Sequence, residues 1–302
     1  MRFEKLDLNL LVALDALISE QNVSFAARRL NLSQPAITSA LNRLREYFND
    51  DLLVPIGRKM VLTPKAEELA GPVRETLLFI HSRIVTPARF DAQTASRNFV
   101  IIASDYVYQV LLADVIMSAA QAAPSVTFEI ITTDKAATER FQRGDADILI
   151  TIKPHLLPGY PEQSLYSDEY VVISDAQRRY GKNLSLDEFM KAGFAIPYFG
   201  AERSQANSES QLATSHPTRR TEIRVPSFSF LPLAVVGTDR LAYMWRRQAE
   251  YFAKYMPISL HTPPIKIAGN SEYMQWHFMR ENDLGLLWLR QLITKTAQNM
   301  KL

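Results

Sequence analysis

The sequence predicts an α/β chain: an N-terminal winged helix-turn-helix, a long linker helix and two C-terminal lobes. Three observations predict it. Apolar residues keep helical spacing from Asp7 to Leu44, and a short strand pair with a cationic turn follows at Leu52 to Leu62. From Phe99 onward, apolar runs alternate with helical stretches in the β-α-β-α-β order of an open sheet.

In the first helix Leu10, Leu14, Leu17 and Ile18 recur at i, i+4, i+7 and i+8, which lays an apolar stripe along one side. A second helix fits Ser24 to Leu30, with Ser24 as N-cap and Ala26, Ala27 and Leu30 facing inward. After Asn31 and Leu32, Ser33 caps a third helix. Pro35 falls in its first turn, where no amide donor is missed, and Ile37, Leu41 and Leu44 supply the buried edge. Two helices meeting across so short a turn suit a helix-turn-helix, whose second helix lies in the major groove of DNA.

The electrostatics agree locally rather than globally. The chain of 302 residues carries 34 Lys and Arg against 32 Asp and Glu, net +2, so its total charge would not carry it to nucleic acid. Between Gln21 and Arg45 there is no acid, while Arg28, Arg29, Arg43 and Arg45 are all present. The face of the third helix opposite its buried edge presents Gln34, Thr38, Ser39 and Asn42, side chains able to reach base edges. A merely solvated face would more often carry Glu and Lys. The expected assignment is base reading by those four residues at a helix start set by Ser33 and Pro35, with Arg28, Arg43, Arg45, Arg58 and Lys59 on phosphates.

Leu52 to Ile56 and Met60 to Leu62 read as strands around a Gly57-Arg58-Lys59 turn. By itself a cationic turn is as well explained by an ordinary solvated surface; beside the helix pair it reads as a wing. From Pro64 to about Val85, Ala66, Leu69, Ala70, Val73, Leu77, Ile80 and Ile84 keep helical spacing, and Gly71-Pro72 can bend the helix. Such a stripe needs a cover, and a second copy of the chain is the simplest one. Periodicity stops from Pro87 to Arg97. The expected domains are residues 1–63, a linker helix and hinge at 64–97, and the lobes at 98–302 with the second lobe at about 168–266.

In the lobes, strands fit Phe99 to Ala103, Val126 to Thr132 and Ile148 to Ile152, with helices at Tyr106 to Ala122 and Ala136 to Arg143. A second set follows: strands at Tyr170 to Ser174, Phe194 to Pro197 and Leu241 to Trp245, helices at Leu186 to Lys191 and Leu231 to Gly237. Tyr273 to Arg280 and Gly285 to Thr296 read as helices that could return to the first lobe.

Catalytic signatures are missing: no Gly-rich phosphate loop, no G-x-S-x-G and no H-E-x-x-H. The histidines, His81, His155, His216, His261 and His277, lack metal-ligand spacing, and the absence of cysteine removes disulfides, thiolate chemistry and cysteine-held metals. Asp145 and Asp147 read as a polar turn. The expectation is no enzyme, no cofactor and no metal. Leu8 to Ile18 resembles a signal peptide core but is interrupted by Asp15, and Val225 to Thr238 is broken by Pro226 and Pro232, too short for about 30 Å of hydrocarbon. No membrane partner and a cytoplasmic location are expected.

Ligands of open α/β sheets bind beyond the carboxyl ends of the strands. Those ends carry Ser104, Asp105 and Tyr106, then Pro154 and His155, then Tyr198, Phe199 and Gly200. Ser104 precedes a helix whose amides could hold an oxygen, although it serves equally well as a plain N-cap. Phe228, Ser229, Phe230 and Arg247 could complete an aromatic pocket with one cation, with core packing as the rival for both phenylalanines.

The run from Leu6 to Ala70, including the A-A-x-x-L-x-x-S-Q-P-A core at Ala26, Ala27, Leu30, Ser33, Gln34, Pro35 and Ala36, resembles the DNA-binding domain of LysR-type transcriptional regulators. The LNLSQPA, YFNDDL, GTDRLA and MQWH segments resemble the branch holding the flavonoid-sensing nodulation regulators and the salicylate and nitroaromatic regulators. The resemblance implies an activator with a dimerising linker helix and a two-lobed, periplasmic-binding-protein-like effector domain. It implies a homodimer or a homotetramer on an interrupted palindromic operator in double-stranded DNA, with a small aromatic or phenolic effector in the cleft. By position it implies effector contacts for Ser104 and Arg247, whereas Tyr198 to Ser210 departs from the family pattern. The rivals are a solute-binding receptor without DNA function, against which the acid-free Arg stretch argues, and a hydrolase on the α/β lobes.

Overall fold

The N-terminal apolar stripes fold as a three-helix unit: α1 (Leu8–Glu20), α2 (Val23–Arg29) and α3 (Gln34–Phe48). This is a computed structural model; it describes residues 6–57, 59–80, 84, 90–177, 180, 184–215 and 219–300, with no side chains at 213–215. The chain divides into two units, Met1–Pro87 and Ala88–Leu302.

In the first unit Asp7 caps α1, and Ser33 caps α3 by accepting from the Ala36 amide at 3.3 Å. The cap of α2 is Asn22, whose Oδ1 accepts from the Ser24 and Phe25 amides at 2.9 and 3.1 Å, so the helix begins one residue before the predicted Ser24 cap. Asn and Ser are equally good caps by type, and the side chain that reaches two orphan amides fixes the start. Leu14, Leu17, Ala26, Ile37 and Leu44 form the core, and the two alanines let α2 approach its neighbours closely. Strands β1 (Leu53–Ile56) and β2 (Lys59–Leu62) pair antiparallel, which places Lys59 on the second strand rather than in the turn. Asp50 holds the approach to the hairpin, accepting from the Leu52 amide at 2.7 Å and the Thr63 hydroxyl at 2.6 Å, while Leu52 sits at φ +59° with its side chain buried.

Helix α4 (Pro64–Ile80) packs along α1. Ala66 and Val73 are buried in the unit's own core, Leu69 and Leu77 pack against it, and Arg74 reaches Asp15 at 2.6 Å and the Ser19 hydroxyl at 2.8 Å. Part of the stripe predicted to need an external cover is therefore covered by α1. Ile84, 72% exposed, is not. The expected continuation of this helix to about Val85 and the start of the hinge fall on residues 81–83 and 85–89, outside the described residues, as does Arg58.

The second unit holds two lobes. In the first, β3 (Arg97–Ile102), β4 (Val126–Ile131) and β5 (Ile148–Ile152) are parallel, and β6 (Glu162–Asp168) completes the edge. In the second lobe β7 (Tyr170–Asp175), β8 (Gly193–Phe199), β9 (Ser204–Gln205), β10 (Arg220–Val225), β11 (Ala242–Trp245) and β12 (Ile258–His261) form a mixed sheet, joined between β8 and β11 by one parallel bridge, Phe194 to Leu241. The chain then returns to the first lobe as β13 (Asn270–Trp276), inserted antiparallel between β5 and β6. Tyr273–Arg280, expected as helix, is thus a central strand followed by a short 3-10 turn. Met274, Gln275 and Trp276 are all buried, and a strand buried on both faces shows no alternation to read.

The helices of the first lobe are α5 (Asp105–Val107), continued through a π-helical turn at Tyr108–Leu112 into α6 (Ala113–Ala122), and α7 (Lys135–Gln142). The second lobe has α8 (Leu186–Lys191), α9 (Asn207–Ser215), α10 (Leu231–Val235) and α11 (Arg246–Ala253). The last helix, α12 (Leu284–Asn299), packs on α6 and β6 of the first lobe. Asp147 is no simple polar turn: it is buried, accepts from the Val100 amide at 2.7 Å and pairs with Arg97 and Arg280.

Candidate functional site

Two surfaces carry the candidate residues. On α3, Ile37, Leu41 and Leu44 face the core, so helical periodicity turns Gln34, Pro35, Thr38, Ser39, Asn42 and Arg43 outward along one exposed, shallow face that ends at Glu46. The Gln34 Oε1 accepts from the Ser24 hydroxyl at 3.2 Å, which ties the amide to α2. Thr38 donates its hydroxyl back to the Gln34 carbonyl at 3.0 Å, leaving oxygen lone pairs to accept. Sequence reasoning did not include Glu46, the acid at the far edge of this face.

The arginines differ from one another. Arg28 is exposed and lies over the Phe25 ring at 4.9 Å. Arg43 is exposed and pairs with Asp7 at 3.2 Å; the Asn9 amide, then Arg43, holds that carboxyl below its ordinary pKa. Such a surface pair holds loosely and can be exchanged for a phosphate. Arg29 turns inward to Asp15 and Glu20. Arg45 donates Nε to the Asp51 carbonyl and Nη2 to the Leu53 carbonyl, both at 2.8 Å, so it braces the base of the hairpin. Lys59 is exposed on β2.

The second surface is a cavity of about 270 Å³ between the lobes of the second unit. Ser104, His155, Phe199 and Phe228 of the predicted set line it. Ser104 is also the N-cap of α5, accepting from the Val107 amide at 3.3 Å, so the cap and the cavity wall are one residue. The other predicted residues stand behind the wall or outside it. Asp105 accepts from the Phe228 and Ser229 amides at 3.4 and 2.7 Å and from the Ser229 hydroxyl at 2.6 Å, latching one lobe to the other. Tyr106 is buried, donates to Asp168 at 2.7 Å and stacks on Trp245. Arg247 donates its backbone amide to Asp168 at 3.3 Å and lies over the Tyr166 ring at 5.8 Å. Pro154 lies in a short exposed turn, Tyr198 under Arg203, and Phe230 is half exposed. Gly200, at φ +64°, lets its loop pass Asp134, where a Cβ would come within 2.7 Å.

Sequence reasoning missed the stacked Tyr170–Trp245 pair, with centroids 3.9 Å apart, and Glu272 on β13. Of the ionisable lining residues, Asp134, Lys135, His155 and Glu202 lie at the rim. Partial desolvation holds His155 below its ordinary pKa, which leaves the imidazole uncharged at neutral pH. Glu272 is 5% exposed, and burial, then the Asp168 charge, pushes its pKa up to about 8. The strand order explains why it was not seen: β13 reaches the cavity only because it inserts beside β5, and no local pattern announces that.

Comparison with known proteins agrees with this two-part build. The family described as "Bacterial regulatory helix-turn-helix protein, lysR family" matches residues 8–67, and that described as "LysR substrate binding domain" matches residues 92–298. The chain is 37% identical to a Nodulation protein D of Bradyrhizobium sp. (strain ANU 289), over 99% of this chain and 89% of the relative. It is 38% identical to Nodulation protein D 1 of Sinorhizobium fredii (strain NBRC 101917 / NGR234), over 100% and 94%. Among solved structures, a probable transcriptional regulator from Pseudomonas aeruginosa aligns over 99% of both chains at 24% identity with TM-score 0.65. A full-length OxyR of the same organism aligns over 98% of this chain and 96% of its own at 14% identity with TM-score 0.71, a likeness of fold. No helix of the described residues is long and apolar enough to cross a membrane.

Proposed function

The chain belongs to the LysR family of DNA-binding transcriptional regulators, not to an enzyme family, and we propose that it is a cytoplasmic activator that responds to a small aromatic or phenolic effector bound between its C-terminal lobes. The observation that carries the DNA half is the exposed face of α3, where Gln34, Thr38, Ser39 and Asn42 stand together on a helix whose opposite side is buried. Those four read bases, and Ser33 and Pro35 fix the helix start. Arg28, Arg43 and Lys59 hold phosphates together with Arg58, while Arg45 acts through the hairpin it braces. Residues 1–63 form the DNA-binding part and 64–97 the linker and hinge, where Ile84 leaves apolar surface for a second copy. Two such units grip an interrupted palindrome, as a homodimer or as a homotetramer. The effector half is supported by the cavity of about 270 Å³ with Tyr170, Trp245, Phe199 and Phe228 in its wall. The solute-receptor reading has no use for a helix-turn-helix unit.

Selection of operators from a pool of random duplexes tests the base-reading face. Gln34→Ala and Thr38→Ala each cost about 1–3 kcal/mol on the selected site and relax preference at one base pair. An unchanged selected sequence from both variants contradicts the assignment of that face. Inducer action requires differential affinity, since a ligand that binds every lobe arrangement equally shifts none of them.

A further inference from the structure

A buried carboxyl group is costly unless something accepts or donates to it, and one with an orphaned oxygen in a residue that lines a cavity points to a partner that the protein does not supply. Glu272 is such a group. It lines the interlobe cavity, is 5% exposed, and its Oε2 is buried with no hydrogen-bond partner among the described residues. It sits on β13 opposite Ile152 of β5 and Tyr166 of β6, and the register with β6 shifts directly after it, an irregularity of the kind that re-aims a side chain beside a site.

The groups facing Glu272 settle its chemical state. They are Asp168 and Tyr166 from β6, Tyr106 from α5 and Tyr170 from β7, an acid and three phenols. Among the described residues the basic side chain over this cluster is Arg247, which lies against the Tyr166 ring at 5.8 Å. Lys135, the amine that lines the cavity, is exposed at the rim, and the rim carboxylates Asp134 and Glu202 add negative field. Among the described residues no buried cation lines the cavity to keep Glu272 ionised, and its raised pKa follows from the same geometry.

The geometry points to Glu272 as the residue that recognises the effector at the cavity floor, its neutral carboxyl donating a hydrogen bond to an uncharged acceptor oxygen such as a ring carbonyl. This rests on the reading of the cavity as the effector site and adds to it the polar group the effector must carry. A carboxylate effector would meet a carboxyl-rich cavity with no buried cation among the described residues and is disfavoured; the aromatic wall accepts the ring in either case.

The test is calorimetric titration of the full-length protein with 1-tetralone and with tetralin, which share a ring frame, differ by one carbonyl and do not titrate. Glu272→Gln keeps a neutral donor of the same shape. In the wild type, tetralone binds at least tenfold more tightly than tetralin at pH 7, and its affinity falls about tenfold between pH 7 and pH 9 as the donor proton is lost. Tetralin binding stays level. In Glu272→Gln, tetralone affinity at pH 7 stays within a few-fold and no longer changes with pH. Equal pH dependence in the variant, or a level tetralone profile in the wild type, overturns the role of Glu272 and leaves the cavity as the effector site. If neither compound binds the wild type, the effector-site reading falls with it. Should the variant fail to fold, the contrast between the two wild-type pH profiles decides alone.

Discussion

Replacing Arg97 with methionine lowers the stability of the C-terminal unit by about 3–5 kcal/mol at pH 7, the cost of leaving buried carboxylates without their cation. Arg97 opens β3 and holds Asp283 through two bonds of 2.6 and 2.9 Å and Asp147 at 3.3 Å. The Asp283 side chain is 0% exposed and also caps α12, while Asp147 takes the Val100 amide in the middle of the sheet. One guanidinium thus ties the first strand of the unit to its last helix, across 186 positions of sequence. Arg280 stays near both acids, at 2.5 and 3.6 Å, but cannot balance two.

The pH dependence separates this from simple loss of packing. Burial alone would raise the Asp283 pKa; the Arg97 bonds and charge outweigh it and hold the group below its ordinary value. A lowered folded pKa contributes stability that is present above the unfolded value and lost as pH falls through the folded one. In Arg97→Met Asp283 takes up a proton more readily, so the deficit is largest at neutral pH and shrinks toward about pH 4. Urea unfolding at both pH values measures it. A loss under about 1 kcal/mol at pH 7, the scale of a surface pair, contradicts the account.

Glu272→Gln has the opposite sign. A carboxyl whose folded pKa is raised contributes stability in full below the unfolded pKa, and that contribution drains away as pH climbs to the folded value. With Glu272 lifted from the ordinary 4.5 to about 8, first by burial and then by Asp168, the wild type at pH 7 carries a deficit that the variant lacks. At about 1.4 kcal/mol per pKa unit, the variant gains about 3 kcal/mol at pH 7 and nothing near pH 4. Parallel stability profiles for the two proteins would show that the carboxyl is ionised and balanced in the fold.

The DNA-binding unit was legible because its information is local. Leu10, Leu14, Leu17, Ile37, Leu41 and Leu44 announce their helices by spacing within a few turns, and Ser33 announces the start of α3. The misplaced start of α2 was a choice between two capping residues two positions apart, Asn22 and Ser24. In the lobes, β3 and β5 could be read as apolar runs, but β6, β10, β12 and β13 could not. Glu162–Asp168 and Arg220–Val225 are polar edge strands, and β13 is buried on both faces. The cavity was legible only in part for the same reason: Ser104, His155, Phe199 and Phe228 lie at strand and helix ends that sequence marks, whereas Glu272 arrives through a strand inserted from far along the chain. Asp105 and Tyr106 were placed beside the right cleft but hold the lobes together behind it, Asp105 through Ser229 and Tyr106 by stacking on Trp245.

The central claim is that the N-terminal unit, with its acid-free stretch from Gln21 to Arg45, docks on duplex DNA through α3 and its hairpin. Fluorescence anisotropy of the full-length protein on a selected duplex, titrated at increasing salt, measures it most directly. Affinity falls linearly on logarithmic axes, and Lys59→Ala and Arg28→Ala each flatten the slope by about one unit without changing which sequence is preferred. Binding that ignores salt, or slopes unchanged by either substitution, would contradict the claim.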